Sequence, residues 1–489
     1  MNPINSFRLA AAAFWHDTTG IILPYVTVML VVIIGVALLA LDGARYMSLQ
    51  TQLQDGADAL ALAGAAELDR LPSSESRALS AINNLVANST VFGRDENRNV
   101  RVAQIQFYSQ LPASDTSPLS AGALANDPTT ARFVSVRVRP ITLPTILPSL
   151  IGGLKPLTAG ASAVAGFDQI VCHVTPMFVC NPYEVPGMGY EQASRALEEA
   201  VIDPSVRRRL IRLRQYGNSL EPYVPGDYGF LFSPSTADSS ELADSVARVQ
   251  PAVCFSLSGV NFRAGYLATI SEAVNVRFDI YERSMTARRN DPRFRPATNV
   301  RKGYVGGGAG SCAANAASNW PIGSPPQQAT GLPLDRTWPY MSGGMGQGNW
   351  DVETYWQVNH AADGRTLPTI NGAVVNNANP PSRYDVYRYE IENGFVSDRS
   401  PGGESGVPAC FAGGELSDVP DRRLLQAAVV NCLSLNLAGS AQSNIPVAAF
   451  TKFFVTLPLQ RSQSDLYVET VGLVRPGDRG NYDMVQLYR

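Results

Sequence analysis

The chain has 489 residues, with 39 Lys and Arg against 42 Asp and Glu, a formal net charge of −3, and 45% hydrophobic residues. That balance excludes bulk electrostatic attraction to nucleic acid and leaves enough apolar content for ordinary cores. Such a length is also more than one core accommodates.

The first elements set the terms for the rest. Residues 1–19, with Arg8 and His16, are too few to fold and read as a tail. Residues 20–41 (GIILPYVTVMLVVIIGVALLAL) carry no charged side chain, and a bilayer core of about 30 Å needs roughly 20 residues of helix. A secretory signal would show a shorter apolar core of about 7–15 residues and a small-x-small cleavage site, whereas here Asp42 and Arg45 follow at once. Pro24 lies in the first turn, where its missing N–H costs little. The expectation is one uncleaved membrane anchor, with a buried helix of a large soluble protein as the alternative.

From Asp42 the chain still reads as helix, because no proline intervenes before Pro72 and Ala, Leu and Gln dominate. Tyr46, Leu49, Leu53, Ala57 and Leu60 recur at steps of three and four, while Arg45, Gln52, Asp55 and Asp58 take other faces. The spacing predicts an amphipathic stalk over 42–70 that continues the anchor, a rod of roughly 75 Å. Small residues at Ala57, Ala61, Gly64 and Ala65 would let another helix approach closely. That stripe is a candidate partner face, including self-association; packing on the chain's own next domain is the equal alternative.

Residues 71–170 read as a small α+β module. Ser76–Asn88 has helical character. The segments VRVAQIQFYSQL and ARFVSVRVRP alternate as strands, with Phe133, Ser135 and Arg137 against Val134, Val136 and Val138. TLPTILPSLIGG is apolar and broken by Pro144 and Pro148, and LTAGASAVAGFDQIV returns to strand.

Residues 171–489 read as a larger, β-rich α/β region with long loops, which makes the whole an α+β chain. YEQASRALEEAVI and PSVRRRLIRLRQ are expected helices, and YLATISEAVNVRFDIY begins helical and ends strand-like. Gly303–Ser382 is loop-rich, with runs such as GGGAGS and NNANPPS. YDVYRYE has the aromatic content of a half-buried strand. RLLQAAVVNC, IPVAAFTKFFVTLP, DLYVETVGLV and YDMVQLYR are further strand candidates.

All six cysteines, Cys172, Cys180, Cys254, Cys312, Cys410 and Cys432, lie beyond the anchor, and none forms a C-x-x-C pair. An even number in a large region across a membrane suits disulfides in an oxidising compartment. Sequence proximity favours Cys172–Cys180 and Cys410–Cys432, leaving Cys254–Cys312. The positive-inside comparison is nearly level, with Arg8 before the span and Arg45 after it.

Chemistry-bearing motifs are scarce. The three histidines are His16, His173 and His360. No HExxH, zinc-type Cys/His spacing, EF-hand loop, G-x-S-x-G or P-loop occurs. The expectation is a protein that is not an enzyme, with no cofactor and no metal. His173 reads as structural, and His360, in WQVNHAADGR, is the better catalytic candidate but has no visible partner. Arg207, Arg208, Arg209, Arg212 and Arg214 read as a solvated helix face paired with Glu198, Glu199 and Asp203, with anionic lipid or an acidic partner as the functional alternative.

Residues 20–69, with their apolar span, Asp42, Arg45 and LQTQLQDGADALALAGA, resemble the N-terminal segment of the TadE/TadG-like proteins of bacterial Flp (Tad) pilus assembly systems. PGDYGFLFSP (225–234), NVRFDIY (275–281), PVAAFTKFFVTLP and LYVETVGLV are similar to motifs of TadG-related proteins. The resemblance implies an inner-membrane protein with a cytoplasmic N-terminus and a periplasmic bulk that helps assemble or anchor a pilus. Its partners would be the inner membrane and other pilus assembly or secretion-channel proteins, with no nucleic acid. Many TadG relatives carry a von Willebrand factor A domain with a D-x-S-x-S metal site. Here Asp203 has Ser205 but then Arg207, and Asp115 has Ser117 but then Leu119, so no metal site carries over. A membrane-anchored scaffold acting by binding is therefore expected, with a minor pilin-like subunit and a periplasmic cell-wall-active enzyme as alternatives.

Overall fold

A computed structural model of the chain describes residues 22–68, 73–84, 100–146 apart from 113 and 115, 156–303 apart from 218 and 219, 330–337, 344–416, 420–439, 442–459, 464–475, 478 and 480–488. The chain divides into two compact units, Met1–Asp168 with Met484–Arg489, and Gln169–Asp483.

The first unit is built on α1 (Ile22–Ala65), a single helix of 44 residues. No residue between Pro24 and Pro72 lacks a backbone donor, so nothing interrupts its ladder. The helix ends in a tightened turn, where the amides of Glu67 and Leu68 donate to Gly64 and Ala65 carbonyls. Helix α2 (Ser74–Asn83) folds back against it. Arg77 of α2 holds Glu67 through its Nε at 3.0 Å and the Glu67 carbonyl through Nη2 at 3.2 Å. Gly64 allows the crossing, since a Cβ there would lie 2.6 Å from Ile82 Cδ1.

The sheet of this unit runs β1 (Val102–Tyr108), β2 (Phe133–Val138), β5 (Ser162–Cys172) and then the final strand of the chain, Asn481–Leu487, with β1–β2 and β2–β5 antiparallel. A short hairpin, β3 (Ile141–Leu143) with β4 (Leu157–Ala159), stands beside it. Val134, Val136 and Val138 are fully buried and meet Leu49, Leu53, Ala57, Leu60, Ala61 and Ala65 of α1. Removing each such leucine from water contributes about 1.5–3 kcal/mol, which fixes this face of α1 to the sheet.

The second unit contains β6 (Met177–Cys180), α3 (Tyr190–Ile202), α4 (Pro204–Arg207), β7 (Ile211–Gln215), β8 (Asp227–Leu231), α5 (Ser239–Ala247), β9 (Cys254–Ser256), β10 (Phe262–Arg263) and α6 (Ile270–Asn275). It continues with α7 (Val352–His360), β11 (Thr369–Ile370), β12 (Ala373–Val374), α8 (Arg383–Glu392), β13 (Leu424–Val430), β14 (Ala449–Val455) and β15 (Leu466–Leu473). Strands β8, β6, β13, β14, β15 and β7 pair in that order, and β7 pairs again with β8, so the sheet closes into a barrel. The β6–β13 and β7–β8 pairs are parallel and the others antiparallel. Closure leaves no free edge along the ring. Both faces of its strands are buried: Met177 and Val179 enter one apolar cluster, Phe178 and Cys180 another.

Four sequence expectations are corrected here. PSVRRRLIRLRQ is not one helix: α4 stops at Arg207 and β7 begins at Ile211. Ile211, Leu213 and Gln215 are buried at a spacing of two, and pairing with β15 and β8 overrides the helical propensity of the arginines. YDVYRYE is helix, in α8, because Ser382 caps it by accepting the Asp385 amide at 3.1 Å. NVRFDIY does not end as a strand; a 3-10 turn at Val276–Phe278 leads into Asp279 with φ 62°. The cysteine pairs are Cys172–Cys254 and Cys180–Cys432, not neighbours in sequence, because the sheet brings β5 beside β9 and β6 beside β13. Cys410 is also disulfide-bonded, and Cys312 lies outside the described residues.

Candidate functional site, the anchor helix and its docking

From Tyr25 to Leu41, α1 presents its large apolar side chains outward: Val28, Met29, Val31, Ile33 and Val36 are all at least 60% exposed. Only 6% of the most apolar window is buried inside the unit, so this is not the core helix of a soluble domain. In water such a surface would be a severe aggregation liability; in a bilayer it is matched to its solvent. The helix is long and apolar enough to cross a membrane.

Asp42 follows the apolar stretch and is 2% exposed. Both of its carboxylate oxygens accept the Ile146 amide at 2.9 Å, and Arg45 Nη1 lies 3.3 Å from Oδ1. About two and three turns further on, Gln50 Nε2 donates to the Gly160 carbonyl at 2.8 Å, and Gln54 Nε2 to the Ser162 carbonyl at 3.3 Å and to Asp58 Oδ1 at 2.7 Å. The rod therefore leaves its apolar half and enters its own module without a flexible joint. Tyr46, Leu49, Leu53, Ala57 and Leu60 all lie in that intramolecular core. This stripe is covered by the chain itself and is not a free face for another helix.

Residues 20–67 match the family of putative Flp pilus-assembly TadE/G-like proteins. The TadE/G-like segment thus comprises the apolar half of α1, Asp42, and the half that docks on the sheet. Segments 225–234 and 275–281 lie outside the match. No curated protein and no solved structure matches the chain.

The other sequence-derived candidates are dispersed. The arginines of 207–214 do not share a helix face: Arg207 lies 3.7 Å from Asp385, Arg212 3.8 Å from Asp465 and Arg214 3.1 Å from Asp227, while Arg208 Nη1 donates to the Pro380 carbonyl at 2.8 Å. His173 is exposed, sits at φ 62° and donates through Nδ1 to the Pro251 carbonyl at 3.2 Å. His16 lies outside the described residues.

His360 has the partners that sequence did not reveal. At the end of α7 it is fully enclosed, with Nδ1 3.0 Å from Asp398 Oδ2 and Nε2 2.9 Å from Glu390 Oε1. Tyr355 donates to the same Glu390 oxygen at 2.6 Å, and Asn299 donates to the other. Arg365 reaches Asp398 at 3.2 Å, and the Trp356 ring lies 4.3 Å from the imidazole. Burial opposes ionisation of Glu390, but hydrogen bonding and charge from His360, the charge of Arg301 and the Tyr355 hydroxyl hold its carboxyl below the ordinary range. With both nitrogens engaged and no exposed surface, the ring has no atom to offer a substrate in this arrangement.

Carboxylates that fasten loops were likewise invisible in the sequence. Asp279 accepts the amides of Ala409 and Cys410 at 2.6 Å and Phe411 at 2.9 Å. Glu184 accepts those of Leu433 and Ser434, and Glu404 those of Lys302 and Gly303. Among the described residues, no group of three or more acidic, His or Cys side chains is arranged to hold a metal ion.

Proposed function

We propose that the protein is a membrane-anchored scaffold of Flp/Tad-type pilus assembly, with its N-terminus in the cytoplasm and the bulk beyond the anchor in the periplasm, acting by binding other assembly components and not by catalysis. The observation that carries this reading is the TadE/G-like match on the rigid anchor-and-stalk helix. Disulfides at Cys172–Cys254 and Cys180–Cys432 support the periplasmic placement, since such bonds persist in oxidising compartments. The enclosure of His360 supports the non-catalytic part. Mechanistically, an anchor confines the binding surfaces to a thin layer and raises their effective concentration toward other membrane components. The jointless entry of α1 into its module adds a fixed orientation.

The deciding experiment deletes the gene and counts surface filaments by electron microscopy, with complementation by full-length protein and by Asp42–Arg489 exported behind a cleavable signal. Loss of filaments that only the anchored form restores is the expected result. Unchanged filament number and length would remove pilus assembly as the process.

A minor pilin-like subunit is the second reading. It is favoured by one feature: a long helix whose outer half is apolar and exposed while its inner half packs on an antiparallel sheet. Recovery of the protein in sheared, purified filaments would select it over the scaffold.

A further inference from the structure

Arg277 follows α6 in the second unit and is 2% exposed. Its Nε and Nη1 are enclosed and have no hydrogen-bond partner. The nearest carboxylate in sequence, Asp279, is occupied by the amides of Ala409, Cys410 and Phe411. The charged neighbour that acts on Arg277 is another cation, Arg422, itself 6% exposed.

Arg422 is fastened to neutral acceptors: its Nε donates to the Arg295 carbonyl at 2.8 Å, Nη1 to the Arg248 carbonyl at 3.4 Å, and Nη2 to the Ala247 carbonyl. The side chains of Arg248 and Arg295 add two more enclosed Nε groups without a partner. The acceptors that the structure gives Arg422 are thus carbonyls of the main chain, while the two enclosed N–H groups of Arg277 have none.

An enclosed, unpaired charge is among the costliest features of a protein interior. A lysine could shed its proton there. A guanidinium does so only in strong alkali, even with burial and a neighbouring cation working against its charge. Water can solvate the N–H groups but cannot cancel two adjacent positive charges. The group that satisfies both needs is an anion with several acceptor oxygens, which matches the fork of a guanidinium. The enclosure selects a compact ion over the side chain or headgroup of a large partner.

We propose that Arg277 and Arg422 form a binding site for a compact tetrahedral oxyanion of the phosphate class. The bound ion would tie Arg277, whose carbonyl accepts the Ala297 amide, to the segment carrying Arg422. It would then be a structural ion of the second unit, needed for its stability.

The test uses the full-length protein in detergent micelles and inorganic phosphate at constant ionic strength set with chloride. Equilibrium dialysis against labelled phosphate is expected to show saturable binding of one ion per chain, and amide exchange to slow at 276–278, 297 and 422–423. Arg277→Met is expected to abolish this binding, and Arg277→Lys, which keeps charge but not the fork, to weaken it at least tenfold. Arg214→Met, at an exposed arginine elsewhere, should leave it unchanged. Absence of saturable binding to the wild-type chain overturns the proposal whatever the variants do. So does slowed exchange confined to other segments, or full binding by folded Arg277→Met.

Discussion

At the scale of single residues, this protein spends its carboxylates on backbone amides. Asp42 is one of these, and its two oxygens hold Ile146 where the apolar half of α1 ends. Asp42→Ala leaves the part-buried Ile146 amide without this acceptor and Arg45 without its ion pair, at a cost of about 1 kcal/mol. Urea unfolding of the full-length protein in micelles should show that loss, and the Ile146 amide should exchange faster; unchanged exchange would mean that the contact does not fasten the helix. Glu390 supplies one part of the pH dependence. A carboxyl whose folded pKa is depressed adds stability that is complete above its unfolded value, 4.5, and is lost as pH falls through the folded one. Glu390→Gln should therefore be less stable than wild type at pH 7 and should show a shallower loss on acidification below 4.5. Parallel stability–pH curves for the two proteins would contradict the assignment.

At the scale of elements, closure of the barrel depends on how near β8 comes to β6. Gly229 of β8 lies opposite Phe178 of β6, and a Cβ at Gly229 would sit 2.6 Å from the ring. That ring cannot move aside, because it is stacked on Phe262 at 3.6 Å. Gly229→Val should destabilise the second unit by about 1–3 kcal/mol through overpacking, seen as a lower unfolding midpoint. A midpoint equal to wild type would show that the ring has room to shift. The same region marks the limit of what sequence displays. The α1 rod was legible because charge-free length and a step of three to four are local signals. So were the alternating valines 134, 136 and 138, and α3, since each pattern reports one burial face. The segment 208–215 reads as helix because its arginines favour helix locally, while its ladder partners lie far away, at Leu466–Val468 and Asp227–Tyr228. YDVYRYE has the aromatic content of a strand, but the cap at Ser382 starts a helix there. The surroundings of His360 come from 299, 355, 390 and 398, whose convergence no local spacing encodes.

At the scale of the whole molecule, the disulfides connect fold to compartment. Cys180 and Cys432 are 0% and 1% exposed and close a loop of 252 residues, so the bond joins the two parallel strands β6 and β13 from distant parts of the chain. A cross-link over so long a loop contributes about 2–4 kcal/mol by restricting the unfolded chain. Replacing both residues by alanine, which leaves no odd thiol, should lower stability by that amount and reduce the amount of protein in cells. The same bonds report orientation. If α1 places its tail in the cytoplasm and everything after Asp42 outside, then protein acid-trapped from growing cells should resist a mass-tagging maleimide until it is denatured and reduced. If the units instead face the cytoplasm, thiol-reducing conditions there would leave the cysteines open, and denatured protein would take up the tag without reductant. Tagging without reductant would reverse the orientation while leaving the anchor itself in place. The scaffold would then have to act on the cytoplasmic side of pilus assembly.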